Sequence, residues 1–310
     1  MNILITGGAG FIGSHVADAC LKAGHLTCVV DDLSMGRREN VHPQAEFFQL
    51  DIRSDKLWEI FDRFRIDAVI HHAAQMDVRK SVEDPLFDAS VNIIGTLNLL
   101  EICRAQGVRK FIFASTGGAI YGDQSRDEPP ADESHSTKPI SPYGVSKLTI
   151  ENYLYYYHTV FGLQYLILRY GNVYGPRQNP HGEAGVVAIF TGKMLARQQP
   201  VINGDGKQTR DYVFVEDVVQ ANMLALNHDQ TAVFNVGTGI ETTVNELFAV
   251  LRELTASTCE EQHAPAKKGE QQRSVLDASR IQQSLGWTPG VSLREGLHRT
   301  VESFRNRSTF

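Results

Sequence analysis

The first half of the chain alternates between short unbroken apolar runs and longer segments in which apolar residues recur at helical spacing. The runs "NILIT", "LTCVVD" and "DAVIHHA" predict buried strands, and "FIGSHVADACLKAG" predicts a helix that ends at Gly24. Unbroken apolar strands are typical of sheets that helices cover on both faces. The alternation therefore predicts an α/β fold built on a doubly wound parallel sheet with right-handed crossovers.

The same alternation continues to about Tyr174. The further strand predictions are "AEFFQLD", "KFIFAS" and "QYLILRY", and the further helix predictions are "KLWEIFDRFR", "NIIGTLNLLEICRAQG" and "YGVSKLTIENYLYYYHTVFG". A loop rich in proline and glycine follows Tyr174, and the order of strands and helices changes after it. We expect one domain over 1–174, onto which 209–236 packs back, and a smaller α/β domain over 175–310 at the carboxyl edge of the sheet.

Composition is that of an ordinary globular protein and argues against several classes of function. The chain has 310 residues, of which 42% are hydrophobic and 21% charged, and its formal net charge is −6. Lysine and arginine are scattered among acidic residues, so we expect no nucleic-acid surface. The first residues lack the pattern of a signal peptide, and no unbroken run of about 18 apolar residues occurs, so we expect no membrane span.

Cysteines and histidines give no indication of a metal site. The four cysteines lie far apart without zinc-binding spacing, and we expect reduced thiols in a cytoplasmic protein. They are Cys20, Cys28, Cys103 and Cys259. His71 and His72 are adjacent in a predicted strand, where neighbouring side chains face opposite ways, so they are expected as strand residues rather than as metal ligands.

Glycines crowd the turn between the first strand and the first helix, at Gly7, Gly10 and Gly13. Without side chains, the backbone can turn tightly and its N–H groups can approach a pyrophosphate at the helix N-terminus. The spacing differs from G-x-G-x-x-G, and a plain turn is the alternative. Asp31 and Asp32 end the next strand, about 20 residues on, where a carboxylate can accept hydrogen bonds from an adenosine ribose. A helix cap or a loop acid is the alternative for Asp31.

Strand, glycines and acid together predict a dinucleotide site. A carboxylate repels the 2′-phosphate of NADP, so NAD is favoured, while Arg37 and Arg38 keep NADP open.

Two other strand ends carry candidates for the same site. Asp51 and Ile52 end the third predicted strand and are candidates to meet adenine, a plain strand-end acid being the alternative. Ala73 and Ala74 are small where the backbone of a cofactor would pass.

The segment "SPYGVSK" places Tyr143 and Lys147 four residues apart on one face of a predicted helix. The preceding strand ends in "FASTGG", which puts Ser115 and Thr116 over the same carboxyl edge of the sheet. An ammonium and a cationic nicotinamide lower the pKa of a nearby phenol from about 10. We therefore predict that Tyr143 is a general base for an alcohol that NAD oxidises, and that Thr116 holds the substrate oxygen. A helix surface pair is the alternative.

With these motifs the chain resembles the extended short-chain dehydrogenase/reductase family, in its NAD-dependent sugar epimerase/dehydratase branch. The stretches that carry the resemblance run nearly from end to end: "TGGAGFIG", "DDLSMGRREN", "HHAAQMDVRKSVEDP", "NIIGTLNLLE", "STGGAIYG", "SPYGVSK", "LRYGNVYGPRQ", "GDGKQTRDYVFVEDV" and "NVGTG". The resemblance implies a Rossmann domain for NAD over 1–174 and a nucleotide-sugar domain over 175–310. It also implies a homodimer with a four-helix interface of the apolar helices near 85–106 and 142–161, which alternatively only cover the sheet.

The resemblance also implies further residues of the cofactor site, beside Tyr143 and Lys147 themselves. They are Phe11, Ile12, Ser34, Gly36, Gln75, Asn92, Ser115 and Tyr170.

For the substrate, the resemblance implies a diphosphate held by Asn172 and Arg210. The further substrate residues that it implies are Val187, Asn203, Lys267, Glu270 and Ser274. In "KKGE", Lys267 and Glu270 stand where the family has the Arg and Asp of "R-x-G-D", and Asn203 stands where an aromatic residue often stacks on uracil. Ser274 lies where a small residue is associated with admission of N-acetyl sugars.

The residues after Thr116 select among the reactions of the family. The 4,6-dehydratases carry an Asp-Glu pair there, and this chain has Gly117, Gly118 and Ala119. Dehydration thus lacks its proton carriers, whereas 4-epimerisation needs none. The resemblance implies 4-epimerisation of a UDP-hexose through a transient 4-keto sugar, with UDP-glucose, UDP-galactose and the N-acetylhexosamine forms as candidate substrates. A UDP-glucuronate 4-epimerase, another nucleotide-sugar reductase of the branch and a non-catalytic NAD-binding sensor stay open.

Overall fold

The structure, a computed structural model, describes residues 1–180, 185–266 and 271–306. The strands of the described residues are β1 Asn2–Thr6, β2 Leu26–Asp31, β3 Glu46–Gln49, β4 Ala68–His71, β5 Lys110–Thr116, β6 Gln164–Tyr170, β7 Asn172–Tyr174, β8 Ile202–Asn203, β9 Thr209–Phe214, β10 Ala232–Val236, β11 Glu241–Thr243, β12 His263–Ala264 and β13 Arg273–Ser274. Seven of them form one parallel sheet in the order β10-β6-β5-β4-β1-β2-β3. The predicted doubly wound parallel sheet is confirmed.

Helices cover both faces of this sheet. The helices of the described residues are α1 Phe11–Lys22, α2 Leu57–Phe64, α3 Val78–Glu83, α4 Pro85–Ala89, α5 Gly95–Gln106, α6 Gly117–Ile120, α7 Pro142–Phe161, α8 Val186–Leu195, α9 Val215–Leu226, α10 Val244–Thr255, α11 Ser279–Leu285 and α12 Leu293–Asn306. Alternate strand residues face opposite layers. Ile3 and Ile5 join a core with α1, α9 and α11, whereas Leu4 joins a core with α2, α5 and α7.

A second, smaller sheet stands beside the carboxyl end of the first. β9 pairs with β7 and β13 in parallel and with β11 in antiparallel fashion, and β8 pairs with β12. A third core lies beneath it and is formed mainly by α8, α10 and α12. The chain returns to the first sheet between these strands, because β10 pairs with β6.

The largest local difference from the sequence expectation lies before α5. The predicted helix from Asn92 to Gly107 is preceded by α4 and by a π-helical turn over Ser90–Ile94, so that the helical segment is continuous from Pro85 to Gln106. Such turns carry one extra residue and are frequent at functional sites. Other boundaries are close to those expected: Gly107 ends α5 in the left-handed conformation, and Ser141 caps α7 directly before Pro142.

The helical segment 85–106 is also apolar enough, by length and composition alone, to cross a membrane, with a mean hydropathy of 1.3. Asp88 and Asn92 interrupt its apolar residues, which is why the sequence shows no unbroken run there. A core helix meets the same criterion, and Leu99 and Leu100 are fully buried against the sheet.

Candidate active site

In the glycine turn after β1, backbone packs directly against backbone. Gly7 has a φ of +68°, and its N–H donates to Val30 O at 2.8 Å. A Cβ on Gly7 would lie 2.6 Å from Ala73 N, and one on Gly13 would lie 2.3 Å from Gly7 O. Gly10 is the N-cap of α1, and no side chain caps that helix. The turn therefore leaves the N-terminus of α1 to other partners, as a pyrophosphate site requires.

Asp31 holds this turn in place. Its carboxylate accepts hydrogen bonds from Ala9 N at 3.0 Å and Leu33 N at 2.9 Å, and burial raises its pKa. A Cβ on Gly36 would lie 2.6 Å from Asp31 Oδ1. The ribose contact of Asp31 stays a prediction, and the sequence analysis missed that this carboxylate fastens the loop that precedes α1.

Asp32 and Asp51, the other acids predicted near strand ends, are more exposed than Asp31. Asp32 is exposed and accepts hydrogen bonds from the N–H and the hydroxyl of Ser34. Asp51 lies two residues beyond the end of β3, and the Arg53 guanidinium that pairs with it lowers its pKa. Ile52 is buried, and a Cβ on Gly95 would lie 2.7 Å from it. The ion pair matches the strand-end alternative for Asp51, whose contact with adenine stays a prediction.

Tyr143 and Lys147 lie in the first turns of α7, as the sequence predicted. Lys147 is buried, and its Nζ donates to Ala114 O at 2.8 Å and lies 5.8 Å from the centroid of the Tyr143 ring. Burial lowers the pKa of Lys147 to about 8, an effect that the carboxylates of Asp88 and Glu151 oppose. The geometry thus puts a buried ammonium beside the phenol.

The phenol itself behaves differently from the expectation. Burial raises the pKa of Tyr143, and the carboxylate of Asp88 raises it further. We predicted that Lys147 together with a nicotinamide would lower this pKa. The protein's own groups do not lower it, because the cost of an anion at a desolvated position is the largest effect. The predicted lowering of the Tyr143 pKa therefore finds no support among the protein's own groups and stays a prediction.

Thr116 and Asn172 border one space at the carboxyl edge of the sheet. Thr116 ends β5 directly beside Tyr170 at the end of β6. A Cβ on Gly118 would lie 3.6 Å from Asn172 Oδ1 and 3.8 Å from Thr116 Oγ1, so both polar atoms border the same space. The hydroxyl of Ser115 is turned the other way, into the protein, where it donates to Glu151 at 2.6 Å.

His71, the last residue of β4, is buried, and His72, directly after the strand, is half-buried. His71 lies between the hydroxyls of Thr6 and Thr96, and burial lowers its pKa well below the usual value. His72 stacks on Tyr170, and burial, followed by the charge of Lys147, lowers its pKa to about 3. Among residues 1–180, 185–266 and 271–306, no group of three His, Cys, Asp or Glu is placed to hold a metal ion.

Gln75 and Asn92, which the resemblance implied, bind each other. Gln75 N donates to Asn92 Oδ1 at 2.8 Å, and Asn92 Nδ2 donates back to Gln75 O at 2.9 Å. Both side-chain amides also donate to Asp88, a buried acid that the sequence analysis did not single out. A charged residue inside an otherwise apolar helix was the signal for it.

The expected diphosphate residue Arg210 lies in β9, beside Ser274 in β13. Its guanidinium donates to Thr209 O at 2.8 Å, and none of the ion pairs in the described part of the chain includes it. Such a cation is suited to an anionic ligand. Ser274 is a buried strand residue, 1% exposed, and its contact with a sugar stays a prediction.

The other expected substrate residues are placed less favourably. Asn203 is half-buried at the end of β8, and its backbone oxygen accepts from Gln208 at 3.0 Å. Val187 is buried in the third core, and its contact with a substrate stays a prediction. Lys267 and Glu270 lie outside the described residues.

Comparison with known proteins agrees with the resemblance. Residues 3–237 match the model of the NAD dependent epimerase/dehydratase family. UDP-glucose 4-epimerase of Mycolicibacterium smegmatis is 44% identical over 316 residues, which covers 99% of this chain and 100% of that protein. A crystal structure of UDP-glucose 4-epimerase with UDP-glucose from Thermotoga maritima has a TM-score of 0.96 at 51% identity, covering 98% of this chain and 99% of that one. The UDP-glucose 4-epimerase of Thermus thermophilus, in complex with NAD, has a TM-score of 0.95 at 45% identity, covering 99% and 100%. The chain belongs to the NAD dependent epimerase/dehydratase family.

Proposed function

We propose that the chain is an NAD-dependent 4-epimerase that interconverts UDP-glucose and UDP-galactose through a transient 4-keto sugar. The observation that carries the proposal is the convergence of Thr116, Tyr143 and buried Lys147 at the carboxyl edge of the sheet, beside the glycine turn. The relatives with 44–51% identity that are named UDP-glucose 4-epimerases support the same reaction.

The residues present fit NAD. The turn at Gly7 and Gly13 has no room for side chains, and α1 begins without a side-chain cap, as a pyrophosphate at this point needs. Asp31 and Asp32 would face the adenosine ribose, and Ala73 would lie along the cofactor where it passes β4. When bound, NAD supplies a hydride acceptor and a positive charge beside the phenol.

The proton transfer falls to Tyr143. In the proposed reaction its phenolate removes the proton of the 4-hydroxyl as carbon 4 becomes a ketone, and its phenol returns a proton when the ketone is reduced. Thr116 donates to the same substrate oxygen and fixes its position. Lys147, held by Ala114 O, keeps a positive charge under the phenolate.

The space around Thr116 disfavours dehydration. Gly117 and Gly118 stand in place of the dehydratase Asp-Glu pair, and a Cβ on Gly117 would lie 2.5 Å from Leu276 Cδ1, so an acid there would require Leu276 to move. The 4-keto sugar then has no group to remove water from it, and its route is to turn over and be reduced on the opposite face.

The two parts of the chain would bind different ligands. Residues 1–174, completed by α9 and β10, would hold NAD, and residues 175–310 would supply most of the sugar-nucleotide site. Of the expected segment 209–236, β9 lies in the second sheet instead. The position of β10 beside β6 supports this division. Arg210, which lacks a carboxylate partner among the described residues, and Asn172 would bind the diphosphate.

We also propose a cytoplasmic homodimer. Apolar side chains on α4, the π-helical turn and α7 face solvent, including Leu86 at 82% and Ile94 at 58% exposed. A second copy that covers these residues would complete a four-helix interface of 85–106 and 142–161. The four free cysteines, of which Cys20, Cys28 and Cys103 are buried, suit a reducing compartment.

The proposal is tested by incubating purified protein with UDP-glucose, UDP-galactose, UDP-N-acetylglucosamine and UDP-glucuronate and separating the products. We expect UDP-glucose and UDP-galactose each to give the same equilibrium mixture, without net formation of NADH. Turnover of UDP-glucuronate alone would favour the uronate epimerase instead. Tightly bound NAD without turnover of any sugar would favour a sensor.

A further inference from the structure

A buried carboxylate lies next to the catalytic helix without an ion-pair partner. Asp88, on α4, is 0% exposed. It accepts hydrogen bonds from Ser146 Oγ at 2.6 Å, Asn92 Nδ2 at 3.0 Å and Gln75 Nε2 at 3.1 Å. Three donors aimed at two oxygens suit the ionised acid, which only accepts. The ion pairs of the described residues do not include Asp88.

Asp88 reaches the catalytic pair through α7. Ser146 lies three residues after Tyr143 and directly before Lys147. The carboxylate therefore meets the one turn of α7 that carries both functional side chains. From the other side, Gln75 and Asn92 bring the loop after β4 and the π-helical turn to the same carboxylate.

Other charges near this point are compensated or exposed. Glu151 on α7 is paired with Arg169 on β6 at 2.6 Å. At the end of β4, burial, followed by the charge of Lys147, lowers the pKa of both His71 and His72, which disfavours a positive charge on either ring. On the packed α3 side, Asp77 caps that helix, and Arg79 and Lys80 are exposed. Of the charged groups around this point, the ammonium of Lys147 and the carboxylate of Asp88 remain in the interior.

We infer that Asp88 is a positioning residue of the catalytic pair, which fixes the turn of α7 through Ser146 and balances the buried charge of Lys147 next to Tyr143. The inference rests on the proposed function for its role in turnover, and on geometry for its effect on the two side chains.

The charge matters because the proposed reaction runs in both directions. Tyr143 must remove a proton and later return one, so its phenol must be neither too weak nor too strong an acid. A cationic nicotinamide would lower the pKa of the phenol, and the Asp88 carboxylate raises it. The same carboxylate raises the pKa of Lys147 against the opposing effect of burial, so the ammonium keeps its proton.

Asp88→Asn removes the charge and keeps the shape. Without the anion, the pKa values of Tyr143 and Lys147 both fall. The phenolate then forms at lower pH, and the ammonium loses its proton at lower pH. Both limbs of the profile of kcat/KM against pH should therefore move to lower pH by about one unit, the size expected for one charge at short range in a protein interior.

Ser146→Ala is the matched control. It removes one donor to Asp88 and leaves the charge, so the plateau of kcat/KM should fall severalfold while both limbs stay in place. If Asp88→Asn does not fold, Asp88→Ser removes the same charge in a smaller side chain. Failure of both variants to fold would make Asp88 a structural residue and overturn the inference.

A second readout needs no substrate. The ultraviolet absorbance of the phenolate is titrated in holoprotein with bound NAD, as the difference between each protein and its Tyr143→Phe counterpart. The midpoint should lie about one pH unit lower in Asp88→Asn than in wild type. That shift in a protein inactive on all UDP-sugars would sink the proposed function and keep the inference. Unmoved limbs and an unmoved midpoint, with only a lower plateau, would overturn the inference.

Discussion

The cofactor side and the sugar side of the proposed site are built in different ways. On the cofactor side backbone meets backbone, since Gly7, Gly13 and Ala73 leave no space for side chains between them. On the sugar side the functional groups are side chains, Asn172 and Arg210, carried by short strands of the second sheet. The difference teaches that a nucleotide can be bound by the shape of the main chain, whereas the choice of sugar depends on individual side chains.

The largest effect is expected from a side chain that covers the backbone of the glycine turn without requiring unusual backbone angles. Gly10 has extended backbone angles that any residue adopts, and a Cβ there would lie 3.1 Å from Gly7 O. Gly10→Val should abolish retention of NAD, because its branches occupy the space of a pyrophosphate, while the chain stays folded. The measurement is the NAD content of purified protein together with circular dichroism. A folded variant that carries its full complement of NAD would refute the phosphate-binding turn.

Next in size is the loss of the catalytic phenol. Tyr143→Phe keeps the shape of the ring and should reduce kcat by at least about 10²-fold, with little change in binding of UDP-glucose. Tyr153→Phe, which removes a half-exposed hydroxyl from the same helix, is the control and should retain activity. Near-normal turnover in Tyr143→Phe would move the base elsewhere, with Asp77 and His72 the next candidates.

The selectivity of the sugar side is tested by a change in the volume of the side chain at position 274. Ser274 is buried beside Arg210, and a tyrosine there would compete for space with the acetamido group of an N-acetyl sugar. Overpacking costs roughly 1–3 kcal/mol, so Ser274→Tyr should lower kcat/KM for UDP-N-acetylglucosamine at least about tenfold more than for UDP-glucose. Ser274→Ala should change neither. Equal losses on both sugars, or a wild-type protein inert toward the N-acetyl sugar, would contradict the assignment.

The smallest effect on the site itself is expected from separating the two copies of the chain in the proposed dimer. Ile94→Glu places a charge on the exposed apolar face of 85–106 and should convert the proposed dimer to a monomer, measured by light scattering after gel filtration. Val201→Glu, at a half-exposed apolar residue away from these helices, should leave the mass unchanged. A wild-type chain that already runs as a monomer would refute the interface.

Local patterns explain why the first sheet and the cofactor turn could be predicted. The strands β1, β2 and β4 are apolar runs, and the glycines after β1 mark the turn from a strand to a helix within a few residues, although the nearest contact of Gly7 is with Ala73, far along the chain. Tyr143 and Lys147 were found because one helical turn separates them and Ser141 with Pro142 marks the start of the helix.

Long-range pairing explains what could not be predicted. The strands that carry Arg210 and Ser274 join residues far apart in sequence, and β13 has only two residues, too few to show a period. Val187 was assigned by resemblance to the family, which says nothing about the direction of a side chain. The pKa of Tyr143 depends on burial and on Asp88. Asp88 lies on another helix, 55 residues earlier in the chain.

The late return of β10 has a consequence for synthesis on the ribosome. A nascent chain that has emerged as far as β6 has six strands of the sheet and leaves the backbone of β6 unpaired along one side. All the residues of β7, β8 and β9 must emerge before β10 can pair there. Throughout that interval β6 is an open edge that can pair with a strand of another nascent chain, and this edge closes only when Ala232–Val236 arrives.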